Sequence, residues 1–126
     1  MAEEAKDARR KRGEELFNKV YGGVVPVPPP EWQDDFFFFT LDYLFSEVWA
    51  RDSMSIRDRR LVAMGVMAAL GEADTFEIQM RAAIKNGELN EDQIKDLLVF
   101  LTQYVGFPRT TRLLAAVRKI FAEQKK

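Results

Sequence analysis

A chain of 126 residues, 47% hydrophobic and 31% charged, is the size of one domain and apolar enough to bury a core. Its 19 Lys and Arg against 20 Asp and Glu leave a net charge of −1, so nothing electrostatic favours nucleic acid or an anionic membrane as partner. There is no cysteine and no histidine. That excludes disulfides, thiol peroxidase chemistry and iron–sulfur or zinc-thiolate sites, and it removes the side chain that ordinarily titrates near neutrality.

In chain order, Glu3–Tyr21 is charged and amphipathic, with Leu16, Phe17 and Val20 at its apolar end. It lacks the apolar core of a signal peptide, and no later run approaches the ~20 apolar residues of a spanning helix. A cytoplasmic protein without membrane partners is expected. GGVVPVPPP, residues 22–30, cannot be helical, because its prolines remove backbone donors and force an extended path. Residues 1–30 are therefore expected to form an N-terminal helix and Pro-rich connector, ahead of a helical domain over 31–126.

A long helix is predicted over Trp32–Ala50, with Leu41, Leu44, Phe45 and Val48 on one face. Ser55-Ile56-Arg57-Asp58 fits a capping box, so the next helix should run from there to Gly71. Its interior, LVAMGVMAAL, is apolar on nearly all sides and reads as a buried central helix. Asp74 or Thr75 can cap a fourth helix ending at Asn86-Gly87. Asn90 with Gln93 repeats the capping pattern, and Ile94, Leu97, Leu98, Leu101 and Tyr104 form a stripe closing at Gly106. Pro108 opens a last helix with Leu113, Leu114, Val117, Ile120 and Phe121 inward. No segment reads as a strand. The fold class is all-α with about six helices.

The run Phe36-Phe37-Phe38-Phe39 stands apart. Four successive side chains sweep most of a helix circumference, so one or two rings should point out of the subunit. Each exposed ring forgoes roughly 1.5–3 kcal/mol of burial, and a homo-oligomer interface would recover it.

Several elements stand in a recognisable order: Glu47-Val48-Trp49-Ala50-Arg51, Arg59, Leu61-Val62, Ala68-Ala69-Leu70-Gly71, Arg81-Ala82-Ala83 with Asn86-Gly87, and Tyr104-Val105-Gly106-Phe107-Pro108. Together they resemble the carboxymuconolactone decarboxylase family over about residues 32–122. The resemblance implies an alkylhydroperoxidase D-like helical fold whose subunits assemble into trimers or hexamers. It also implies one of two activities, decarboxylation of a carboxylated lactone in aromatic-acid breakdown or thiol-dependent peroxide reduction.

The peroxidase branch carries CxxCxxxH, with a glutamate twelve residues before the first cysteine. Carried onto this chain, the histidine falls at Gln79, the cysteines at Glu72 and Thr75, and the glutamate at Arg60. All four are replaced, and without a thiolate no nucleophile meets a peroxide. The decarboxylase branch also implies a histidine at Gln79. Losing CO₂ beside a lactone builds negative charge that must be held by cations and then protonated. Gln79 can orient a ligand by hydrogen bonding, but it exchanges no proton near neutral pH.

The remaining candidates each carry two readings. Glu47 is a candidate acid, or it pairs with Arg51 at i,i+4. Arg59 and Arg60 would hold a small carboxylated ligand, or they form ion pairs with Asp52, Asp58 or a neighbouring subunit. Trp49 and Tyr104, with Phe107, would line a pocket for a ring, or simply belong to the core. Glu72, Asp74 and Glu77 lack the spacing of a metal loop and read as helix-terminus acids. No metal or other cofactor is implied.

Overall fold

The computed structural model describes residues 2–125, with side-chain surroundings from Lys6 onward. Among the described residues the secondary structure is helical throughout and contains no strand. The helices are α1 (Ala2–Tyr21), a 3₁₀ turn (Pro30–Trp32), α2 (Asp35–Phe37) running into a π-helical segment (Phe38–Val48), α3 (Ile56–Leu70), α4 (Ala73–Lys85), α5 (Glu91–Val105) and α6 (Phe107–Gln124). No helix is long and apolar enough to cross a membrane. The chain divides into two compact units, the first ending at Ile56 and the second beginning at Arg57.

In the first unit α1 packs along the π-helical segment. Gly13 is the reason they approach so closely, since a methyl group there would overlap the Leu41 carbonyl. Phe17 and Val20 follow on the same face of α1 and bury against Leu41 and Phe45. The Phe17 and Phe45 rings meet edge to face at 5.1 Å, and Phe45 stacks on Trp49 at 5.8 Å. The connector folds onto this core through Val25 and Val27. Arg10 ties it further, bonding both Asp42 and Gln33, while Gln33 Nε2 donates to the Pro28 carbonyl at 2.8 Å.

The helix expected over Trp32–Ala50 begins later and winds differently. Asp34 caps it, its Oδ1 accepting from the amides of Phe36 and Phe37, and the π winding is seen where Trp49 N–H donates to Leu44 O at 2.8 Å, five residues back. That slower winding changes which residues share a face. Leu41 and Phe45 are buried together with Asp42 and Ser46, whereas Leu44, expected inward, is exposed. The Ser46 hydroxyl is buried without a hydrogen-bond partner. Phe36, Phe38 and Phe39 are exposed, Phe36 to 70%.

In the second unit α6 packs against α4 and α5. Met64, Ala68, Phe76, Met80, Ile94, Leu98, Leu113 and Val117 form the centre of its core. Asn90 and Gln93 form the expected reciprocal cap at 2.8 and 2.9 Å. The start of α4 differs from expectation. Glu72 occupies the cap position without a side-chain bond, and Asp74 and Thr75 lie inside the helix, where the Thr75 hydroxyl donates to Glu72 O. Two apolar readings also need correcting. Helix α3 is buried on one side only, leaving Val62, Val66 and Leu70 at 55–69% exposure, and Tyr104 departs from the α5 stripe to stand 77% exposed. Four-residue spacing puts those α3 side chains on a single solvent-facing strip, which sequence hydrophobicity alone does not distinguish from a buried one.

Candidate functional site

The turn after α4 builds the centre of the candidate site. Gly87 adopts φ +70°, its N–H donates to Ile84 O at 3.0 Å, and Glu88 N–H donates to Ala83 O at 2.8 Å. This is the Schellman closure of a helix, and it puts Glu88 at a determined place just past the helix end. From there its carboxylate meets Arg60 of α3.

The Arg60 side chain is 1% exposed. Its Nε donates to Glu88 Oε1 at 2.6 Å and its Nη2 to Glu88 Oε2 at 3.1 Å, so two parallel bonds grip both carboxylate oxygens. Its Nη1 donates to Gln79 Oε1 at 2.7 Å. Gln79 itself is buried, on the inward face of α4. A guanidinium sealed from water costs several kcal/mol unless paired and hydrogen-bonded, and here it is both. Around the pair, Asn86 Nδ2 lies 3.4 Å from Glu88 Oε2, and Arg57 Nε donates to the Glu88 carbonyl at 2.9 Å. Arg57 also lines a groove of ≈570 Å³ between α3 and α5, with Leu61, Leu89, Leu97 and Phe100 among its walls.

Each of the other residues singled out from the sequence has surroundings of its own. Glu47 and Trp49 belong to the first unit. Glu47 is exposed and takes Arg9 Nε at 3.3 Å and Arg12 Nη2 at 3.5 Å from α1, while Trp49 is half-buried against Phe45. Arg59 is half-buried on α3 beside Arg60. Tyr104 packs its ring 5.2 Å from Phe100 on the exposed side of α5. The acidic group disperses: Glu77 is bound by Arg81 at 3.1 Å and Lys119 at 3.6 Å. Arg81 is held above its ordinary pKa, chiefly by its hydrogen bond to Glu123 and then by Glu77, and serves as a permanent cation tying α4 to α6.

Glu88 is the member of the cluster that the sequence did not reveal. It lies 28 residues from its partner, and its only local signal is its place directly after Asn86-Gly87. Chemically the cluster can hold a carboxylate and accept or donate hydrogen bonds. It contains no thiol and no imidazole.

The chain is similar to a 4-carboxymuconolactone decarboxylase of Acinetobacter baylyi, 28% identical over 93 residues that span 74% of this chain and 69% of the relative. The model of the carboxymuconolactone decarboxylase family matches residues 34–119, a stretch that contains Arg60, Gln79 and Glu88. With that match over most of its length, this chain belongs to the carboxymuconolactone decarboxylase family.

Proposed function

We propose that this family member binds a small carboxylated molecule, a lactone acid or related aromatic-derived acid, at Arg60, and that it does so without the proton relay of the family's reactions. The observation that supports this is the two-pronged grip of buried Arg60 on the protein's own Glu88 carboxylate, with Gln79 as a neutral third partner at 2.7 Å. Arginine in this geometry recognises the planar two-oxygen end of an acid. The positions that the resemblance assigns to the relay glutamate and histidine are thus in direct contact, but as a cation and an amide. Neither exchanges a proton near neutral pH. Calorimetric titration of the protein with benzoate and a set of carboxylated lactones tests the reading. Saturable binding is expected, and no heat of binding from any of them would refute it.

The relative's named activity supports a second reading, decarboxylation of a carboxylated lactone. It needs an acid to return a proton to carbon, and Glu47, the acid expected from sequence, is engaged by Arg9 and Arg12. Release of CO₂ by the unmodified protein from any lactone in the same set would favour this reading over simple binding.

A cytoplasmic homo-oligomer, a trimer or hexamer as the family resemblance implies, completes the proposal. In the first unit Phe36, Phe39 and Tyr43 stand 58–70% exposed, and in the second Val62, Val66 and Leu70 line one strip of α3. Apolar surface of this kind is stabilised when a further copy covers it. Sedimentation velocity tests the assembly, and a monomer at micromolar concentration would count against it.

A further inference from the structure

We infer that Glu88 is an internal stand-in for the ligand: in the empty protein it occupies the carboxylate seat on Arg60, and an incoming carboxylate binds by turning it out. The inference rests on the reading of Arg60 as a carboxylate site and adds how access to that site is controlled.

Three observations carry it. First, the pair is asymmetric. The Arg60 side chain is 1% exposed and that of Glu88 11%, so the acid is the member that borders solvent. Second, the Glu88 backbone is pinned independently of its side chain. Its N–H is bonded to Ala83 O and its carbonyl accepts from Arg57 Nε, so the carboxylate can swing out by side-chain rotation alone while the turn stays closed. Third, the largely apolar groove of ≈570 Å³ begins at Arg57, which donates to the Glu88 carbonyl. Its other walls include Leu61, Leu89, Leu97 and Phe100 together with Asp96, while Arg60 and Glu88 are not among them. A monocarboxylate with a compact apolar ring suits that combination: its oxygens replace those of Glu88 on Nε and Nη2, and its ring enters the groove. Gln79 need not move, because it bonds the remaining nitrogen, Nη1.

A tethered carboxylate competes at an effective concentration of millimolar or more, so it weakens binding of a free one. The test compares benzoate binding by calorimetry to the unmodified protein, to Glu88→Gln, and to the double variant Arg60→Met/Glu88→Leu. The Glu88→Gln side chain keeps its shape but loses the charge that competes. Binding roughly tenfold tighter or more in Glu88→Gln, and abolished in the double variant, is expected. Equal affinity in the unmodified protein and Glu88→Gln, still abolished in the double variant, would overturn the inference and leave Arg60 as the binding residue. Binding that persists in the double variant, or is absent from all three proteins, would overturn both. Thermal unfolding of Glu88→Ala gives a second readout. Sodium acetate should raise its midpoint well beyond sodium chloride of equal ionic strength, and an equal response to the two salts would contradict the inference.

Discussion

Gly13→Ala sets packing against helix propensity at a single position. Gly13 lies inside α1, where alanine ordinarily stabilises a helix by about 0.5–1 kcal/mol. Here the added methyl would lie 2.5 Å from the Leu41 carbonyl carbon and 3.1 Å from its Cα, and closer still to the carbonyl oxygen. These are backbone atoms, so no rotamer change relieves the overlap. The two helices must separate, which loosens Phe17 and Val20 from Leu41 and Phe45. Overpacking of this kind costs typically ~1–3 kcal/mol, enough to outweigh the propensity gain. Urea unfolding followed by circular dichroism should therefore show a lower midpoint for the variant. A midpoint equal to or above that of the unmodified protein would refute the close helix contact.

Four further outcomes follow from the same reasoning. Glu88→Ala leaves a buried guanidinium without its counter-ion and should destabilise by about 3–5 kcal/mol in urea unfolding, while Arg60→Met/Glu88→Leu should recover most of that loss. Gln79→His alone should confer no thiol peroxidase activity, because the chain has no cysteine. Burial and the Arg60 guanidinium both disfavour imidazolium, so the new histidine should titrate below its ordinary pKa of about 6.5 by NMR. Its folded-state pKa being depressed, that variant loses stability relative to the unmodified protein as pH falls below about 6.5. Ser46→Ala removes a buried hydroxyl with no partner and should raise stability by roughly 1 kcal/mol, and Asn90→Ala should lower it by about 1 kcal/mol through loss of the α5 cap, both measured in denaturant.

Much of the architecture could be read in local signals, because helix ends depend on neighbours in the chain. Asn90 with Gln93, Asn86-Gly87, and Gly106 before Pro108 each mark a terminus through a bond to a residue only a few positions away. Positions 79 and 60 entered as candidates only through the family resemblance, since the chain itself carries no motif residue at either. The π winding of Phe38–Val48 was not, since a change of hydrogen-bond register leaves no mark on composition. It is why Asp42 and Ser46 are buried while Leu44 is exposed. Nor was Glu88 legible: its partner lies 28 residues away in α3, and only the closure of α4 brings the two together. The exposure of Val62, Val66, Leu70 and Tyr104 escaped for a related reason. Apolar pattern tells which side chains avoid water, not whether the same chain or another copy covers them.

The claim that Arg60 is a carboxylate seat, held by Glu88 until a ligand arrives, is tested most directly by a crystal structure of the Glu88→Gln protein grown with benzoate. The account predicts the benzoate carboxylate bridging Nε and Nη2 of Arg60, its ring against Leu61 and Leu89, and Gln79 Oε1 still on Nη1. Benzoate absent from Arg60, with the substituted side chain at position 88 still seated there, would contradict it.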